Sequence, residues 1–246
     1  MSPETVARAA EYPAALLLSG GRSQRFGGAA KALLSVRGGP AVRRMAEVAI
    51  AQSLSPIVLV VRPQSIDIVE AVAGLPVVVR PSDRCALGRS ASIDEGLAAI
   101  PRGRDVLLWP VDHPFAHAKT LRALVEARAI DPMSDWIIPT FDGRDGHPIV
   151  FSRRARPSIH ALGPADPLRN VRDKFRARTI RVPVDDPGVV EAIDTPEAYA
   201  RASAREERWT DDCPKRLSAL WKRTSRSPGP RSSGPRVRPR EGSVPR

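Results

Sequence analysis

Cysteine, aromatic residues and long apolar runs are all scarce in this chain, and each scarcity removes a class of protein. The 246 residues contain only two cysteines, Cys85 and Cys213. They lie far apart without metal-ligand spacing, so no disulfide framework is expected and a reduced, cytoplasmic setting is. Aromatics are 4% of the chain and no RNA-recognition motif is present, which argues against nucleic acid as a partner. No run of about 18 uninterrupted apolar residues exists, so a membrane-spanning helix is not expected. The first residues include Glu4, Arg8 and Glu11 and no apolar core, so neither is a secretory signal. His113, His117 and His160 lack metal-ligand spacing and read as structural. Neither cysteine has a partner that would make it a nucleophile. Internal repeats are absent.

What is present suits one globular domain with a tail. Hydrophobic content is 42% and there are 25 prolines, about twice the average share. The formal net charge is +12, but residues 203–246 hold twelve Lys/Arg and five Asp/Glu. The tail thus carries +7 and the body only +5, a mild excess that suits an enzyme for anionic substrates. Arg, Pro, Ser and Gly dominate the tail, which cannot bury enough surface to offset its ordering entropy and is expected to be disordered. Three segments follow: an N-terminal extension at 1–12, a domain at 13–202 and the basic tail at 203–246.

Within the domain, short apolar, β-branched runs alternate with amphipathic segments. Strands are expected at Ala14–Leu18, Pro56–Val61, Leu75–Arg80, Val106–Pro110, Trp136–Pro139, Pro148–Phe151 and Ile180–Val184. Helices are expected at Ala41–Gln52, Ile66–Ala73, Ser90–Ile100, Lys119–Ala129 and Leu168–Lys174. Near-continuous apolar strands separated by helices predict an α/β fold: a doubly wound, mostly parallel, Rossmann-like sheet with helices on both faces. Ligands then bind beyond the C-terminal ends of the strands.

Two segments sit at such ends. The first strand runs into Ser19-Gly20-Gly21-Arg22-Ser23-Gln24-Arg25-Phe26-Gly27-Gly28-Ala29-Ala30-Lys31. Glycines let backbone N–H groups turn toward a ligand, and the cations suit a triphosphate. The loop matches neither a P-loop nor G-x-G-x-x-G, and an ordinary strand-to-helix connection with solvated arginines remains open. The second segment, Val106 to Pro114, is a buried strand ending in Asp112, placed either to hold Mg²⁺ or to cap the following helix. Farther on, Asp194-Thr195-Pro196-Glu197 is a helix start in which Asp194 is either the cap or a second metal ligand. Gly88 and Ser90 open a helix where Ser90 could serve as N-cap. Gly146-His147 forms a turn where the imidazole could bond to backbone or to a ligand.

The order and wording of these motifs resemble the MobA-like nucleotidyltransferases. That family includes the molybdenum-cofactor guanylyl- and cytidylyltransferases and is related to the sugar-phosphate nucleotidyltransferases. The opening matches L-x-G-G-x-S-x-R-[MF]-G…K-x-L-L through Ser23, Arg25, Phe26, Gly27, Lys31, Leu33 and Leu34. It departs in having Ala30 before the lysine and one extra residue in Gly28-Ala29-Ala30. Pro110-Val111-Asp112-His113-Pro114 resembles L-x-P-x-D-x-P, Gly143–Pro148 resembles G-x-x-G-H-P, and Asp194-Thr195-Pro196-Glu197 resembles D-I-D-T-P-E-D with Ala192 and Ala198 replacing its outer acids.

The resemblance implies a nucleotide-diphospho-sugar transferase type of fold and Mg²⁺-dependent transfer of an NMP from an NTP to a phosphorylated acceptor. Molybdopterin is the expected acceptor, and a molybdoenzyme the eventual client. By the same resemblance Arg25, Lys31 and Asp112 are catalytic, and Asp112 and Asp194 are the metal ligands. Leu18, Ser19, Gly20, Gly21, Arg22, Ser23, Arg25, Lys31, Gly88 and Ser90 bind nucleotide, and Gly146 and His147 face the acceptor. Leu18–Gly21 leans toward the guanylyl type. Val111–Pro114 and Gly146–Pro148 lean toward the cytidylyl type, so CTP is preferred over GTP. Guanylyl transfer, a sugar-phosphate acceptor, or a non-catalytic polyanion-binding protein acting through the tail are the alternatives.

Overall fold

The computed structural model describes residues 12–21 and 30–206. The expected strand-like runs all form, with no end shifted by more than two residues: β1 (Ala14–Ser19), β4 (Ile57–Val61), β5 (Val77–Pro81), β6 (Val106–Pro110), β7 (Trp136–Phe141), β9 (Ile149–Phe151) and β10 (Thr179–Pro183). Three two-residue strands were not anticipated: β2 (Ser35–Val36), β3 (Gly39–Pro40) and β8 (Arg144–Asp145). They are too short to give an alternating pattern of their own.

The main sheet runs β10-β7-β9-β6-β1-β4-β5, with β8 added beside β7. The pairs β1·β4, β1·β6, β4·β5 and β7·β10 are parallel, while β9 runs antiparallel between β6 and β7. β1 is an interior strand between β6 and β4, and all six of its residues are buried. That burial on both faces explains why Ala14 to Leu18 reads as an unbroken apolar run.

Side chains alternate between the two faces of β1. Ala15 and Leu17 join one core with Val42, Met45, Leu59, Trp109, Leu121 and Leu124, beneath α1 (Ala41–Ala51) and α4 (Ala118–Ile130). Leu16 and Leu18 join the other with Ile93, Leu97, Ile159 and Val171. That core lies beneath α3 (Arg89–Ala98), α5 (Arg156–His160) and α6 (Arg169–Lys174). The short α2 (Ile66–Ala71) follows β4, and α7 (Pro196–Glu206) closes the described chain. The expected domain end at 202 falls inside α7, where Ala202 and Glu206 are both buried. No described helix is long and apolar enough to cross a membrane.

Candidate active site

The C-terminal ends of β1, β4 and β6 open into a cleft of about 670 Å³. It is lined by Leu18, Ser19, Gly20, Gly21, Lys31, Gly88, Asp112 and Asp194 from the expected set, together with Arg62, Arg89 and Ser92. Arg22, Ser23 and Arg25 lie outside the described residues, as do the rest of the loop from 22 to 29, the first eleven residues and the tail from 207 onward.

Asp112 occupies a tight turn held from several directions. Val111 N donates to Leu18 O at 3.0 Å, and His113 N donates to Pro110 O at 3.1 Å. The buried Trp109 indole donates to His113 O at 2.8 Å, and Ile193 N donates to Asp112 O at 2.8 Å. That last bond joins the β6 turn to the segment carrying Asp194, which is 82 residues away in sequence. Asp112 does not cap α4, which begins six residues later. The capping oxygen there is Oδ2 of Asp186, which accepts from His117 N at 2.7 Å and from Thr120 Oγ1 at 2.6 Å.

The Asp112 carboxylate is only partly engaged. Its Oδ2 accepts from Arg89 Nη2 at 3.1 Å, whereas Oδ1 is buried without a hydrogen-bond partner. The carboxylate borders the cleft, and Oδ2, paired only with an exposed arginine, is the oxygen a cation there could reach. Asp194 is the second carboxylate, and its Oδ1 is 2.6 Å from Lys31 Nζ. It is not the cap of α7, because Thr195 Oγ1 accepts from Ala198 N at 3.2 Å. Among the described residues no three His, Cys, Asp or Glu side chains are grouped to cage a metal. An ion here would take its other ligands from phosphate oxygens and water, as Mg²⁺ does at nucleotide sites.

Gly20 and Gly21, the described glycines of the first loop, act differently from expectation. Neither is among the described glycines with positive φ. Gly20 is small because a Cβ there would lie 2.8 Å from Cys85 Sγ and 3.0 Å from Ser92 Oγ. Its carbonyl accepts from Arg62 Nε at 3.3 Å, and that of Gly21 accepts from Arg62 Nη2 at 3.3 Å. Arg62 thereby fixes the strand end from which the loop departs.

Gly88 does need its freedom, with φ +147 and a Cβ position 2.3 Å from Pro164 O. Ser90 neither lines the cleft nor caps α3. Its hydroxyl donates to Asp166 O at 2.5 Å, and Ser92 faces the cleft instead. Gly146 and His147 also lie apart from the cleft lining. Gly146 has no room for a side chain, since a Cβ would meet Val189 O at 2.6 Å. His147 N donates to Val189 O at 2.8 Å, and its ring lies 4.9 Å from that of His113. Burial, followed by the neighbouring His113, pushes His147 down to about 3. Burial also lowers His113 against the opposing pull of Asp112. A neutral imidazole pair therefore stands behind Asp112 at neutral pH.

Sequence reasoning passed over Arg62, Arg89 and Asp186. Arg62 and Arg89 had a usable signal, as arginines directly after a buried strand and at a helix start. Asp186 had none for its hold on α4, because the partners of its Oδ2 are 66 to 69 residues away.

A family model described as MobA-like NTP transferase domain matches residues 15–181. Rv0371c of Mycobacterium tuberculosis H37Rv, solved in complex with manganese, is 22% identical, with TM-score 0.61 over 78% of this chain and 97% of that one. A Methanothermobacter nucleotidyl transferase is 21% identical, with TM-score 0.68 over 79% and 97%. The molybdopterin-guanine dinucleotide biosynthesis protein A of Archaeoglobus fulgidus is 16% identical, with TM-score 0.61 over 79% and 99%. At these identities the likeness to solved structures is one of fold. No curated protein sequence matches.

Proposed function

The chain belongs to the MobA-like NTP transferase family, and from that premise we propose that it transfers CMP from CTP to molybdopterin in the cytoplasm. A terminal phosphate oxygen of the acceptor attacks the α-phosphorus of CTP, the bond to the β-phosphate breaks, and pyrophosphate leaves. The observation that carries the reading is the meeting of Lys31, Arg89, Asp112 and Asp194 in one cleft beyond the strand ends.

Such a transfer asks little covalent chemistry of a protein, so positioning and electrostatics dominate. Asp112 and Asp194 would hold a divalent cation, Mg²⁺ in this reading, which when bound polarises the phosphate oxygens as a Lewis acid. Lys31, in the cleft lining beside Asp194, neutralises charge moving onto the pyrophosphate, and Arg25 shares that task. The Gly20-Gly21 backbone leaves room for base and triphosphate. Gly146 and His147 do not line the cleft, and only their G-x-x-G-H-P wording supports CTP over GTP.

Leu18-Ser19-Gly20-Gly21 favours a guanylyl reading on the same site, so the test measures both. Thermal stabilisation by CTP, GTP, ATP and UTP with Mg²⁺ is compared between wild type and Asp112→Ala. Selective, Asp112-dependent stabilisation by CTP is the expected result. Stabilisation by GTP would change the base. A lack of stabilisation by any of the four would overturn the reading. Pyrophosphate release with molybdopterin or with a sugar phosphate as acceptor then decides the acceptor. Removing residues 207–246 should leave this activity intact if the tail is not the working part.

A further inference from the structure

Both cleft carboxylates are paired with cations of the chain, but the two pairs are built differently. The Lys31 side chain is 14% exposed, whereas that of Arg89 is 57% exposed. The backbone beneath Arg89 is nonetheless pinned. Gly88 packs against Pro164 O, and Ser90 Oγ donates to Asp166 O. A fixed root with an exposed guanidinium makes an arm free to change partner. At Asp112, Oδ1 is buried, so Oδ2 is the oxygen within reach of a ligand, and Arg89 covers it.

We propose that Arg89 occupies, in the nucleotide-free protein, the Asp112 oxygen that the divalent cation needs. An arriving triphosphate draws Arg89 away and opens Oδ2, so that cation and nucleotide load together. The inference rests on the nucleotidyl-transfer reading of this cleft. A guanidinium held against Oδ2 sets a positive charge beside the place a cation would take, so each disfavours the other there. The single bond from Nη2 leaves most of the donor fork of Arg89 unused, and that fork matches phosphate oxygens in pairs. An ion pair this exposed is weak enough for a polyanion to take over. By linkage, nucleotide then raises cation affinity by the same factor as cation raises nucleotide affinity.

The test uses the full chain and Mn²⁺ alone, with binding followed by electron paramagnetic resonance. Arg89→Gln should bind Mn²⁺ roughly two- to fivefold tighter, the worth of an exposed ion pair. Arg62→Gln removes the same charge from the same cleft without uncovering Asp112, and should leave Mn²⁺ affinity unchanged. Binding of tripolyphosphate in the presence of a chelator should weaken severalfold in Arg89→Gln. Unchanged or weaker Mn²⁺ binding in Arg89→Gln, or equal tightening in both variants, would overturn the competition. Unchanged tripolyphosphate binding would overturn the transfer of Arg89 to phosphate. Asp112→Asn tests the premise separately: if it binds Mn²⁺ as wild type does, the metal reading fails whatever Arg89 does. Melting temperatures verify that each variant is folded.

Discussion

Asp112, in the turn after β6, and Asp186, in the turn after β10, are the same residue type handled in opposite ways. Asp186 is fully buried, and both its oxygens are engaged: Oδ2 by His117 N and Thr120 Oγ1, and Oδ1 by Gly188 N. It ties the start of α4 to the crossing that leads toward α7, and its charge is consumed by internal donors. Asp112 has one oxygen with no partner and another held only by an exposed arginine. A carboxylate whose bonds are all internal stabilises the fold. One left partly unsatisfied at a cleft is available for chemistry.

The contrast breaks most sharply at Asp112. Replacing it with Ala should abolish transfer while circular dichroism and melting temperature stay near wild type; an active Asp112→Ala protein would erase the distinction. Asp186→Ala is the reverse case. It leaves three buried donors without an acceptor, each worth about 1–3 kcal/mol, and the losses overlap. Urea unfolding should register about 3–5 kcal/mol of lost stability, and a loss below 1 kcal/mol would show that Asp186 is dispensable.

Lys31→Ala falls between them. Turnover should drop about 10²-fold, as when a preorganised charge contact is lost, while stability changes by less than about 1 kcal/mol because Asp194 is half exposed. The effect at His147 is absent at neutral pH and shows only in acid. That imidazole is held neutral to about pH 3 when folded, but takes up a proton near pH 6.5 when unfolded. Its contribution to stability is therefore complete above about pH 6.5 and falls as pH drops, by at most about 1.4 kcal/mol per pH unit. Melting curves of His147→Gln should lose part of this acid slope between pH 6.5 and 4.

The interior strands β1, β4 and β6 were readable because burial on both faces forces a continuous apolar run, whereas the more exposed edge strands β5 and β10 were readable by their β-branched residues. The site was readable in part. Glycines at a strand end and a carboxylate at another mark the cleft, and Lys31, Asp112 and Asp194 do meet there. Ser90 could not be resolved from sequence, since a serine at a helix start can face a ligand or a neighbouring loop with equal ease. Here the loop carrying Asp166 takes it. Asp194 posed the same problem: Asp and the adjacent Thr195 are both good caps, and only the fold shows that Thr195 accepts from Ala198 N.

By itself the sequence determined the layered α/β architecture, the basic character of the tail and the residue types at the strand ends. Local pattern and charge carry that information along a few consecutive residues. Only the tertiary structure decided which charges pair: Arg89 with Asp112, Lys31 with Asp194, Asp186 with the start of α4. Each of these contacts joins segments 23 to 163 residues apart. No local periodicity encodes such a contact; it exists once the sheet has closed and brought those ends together.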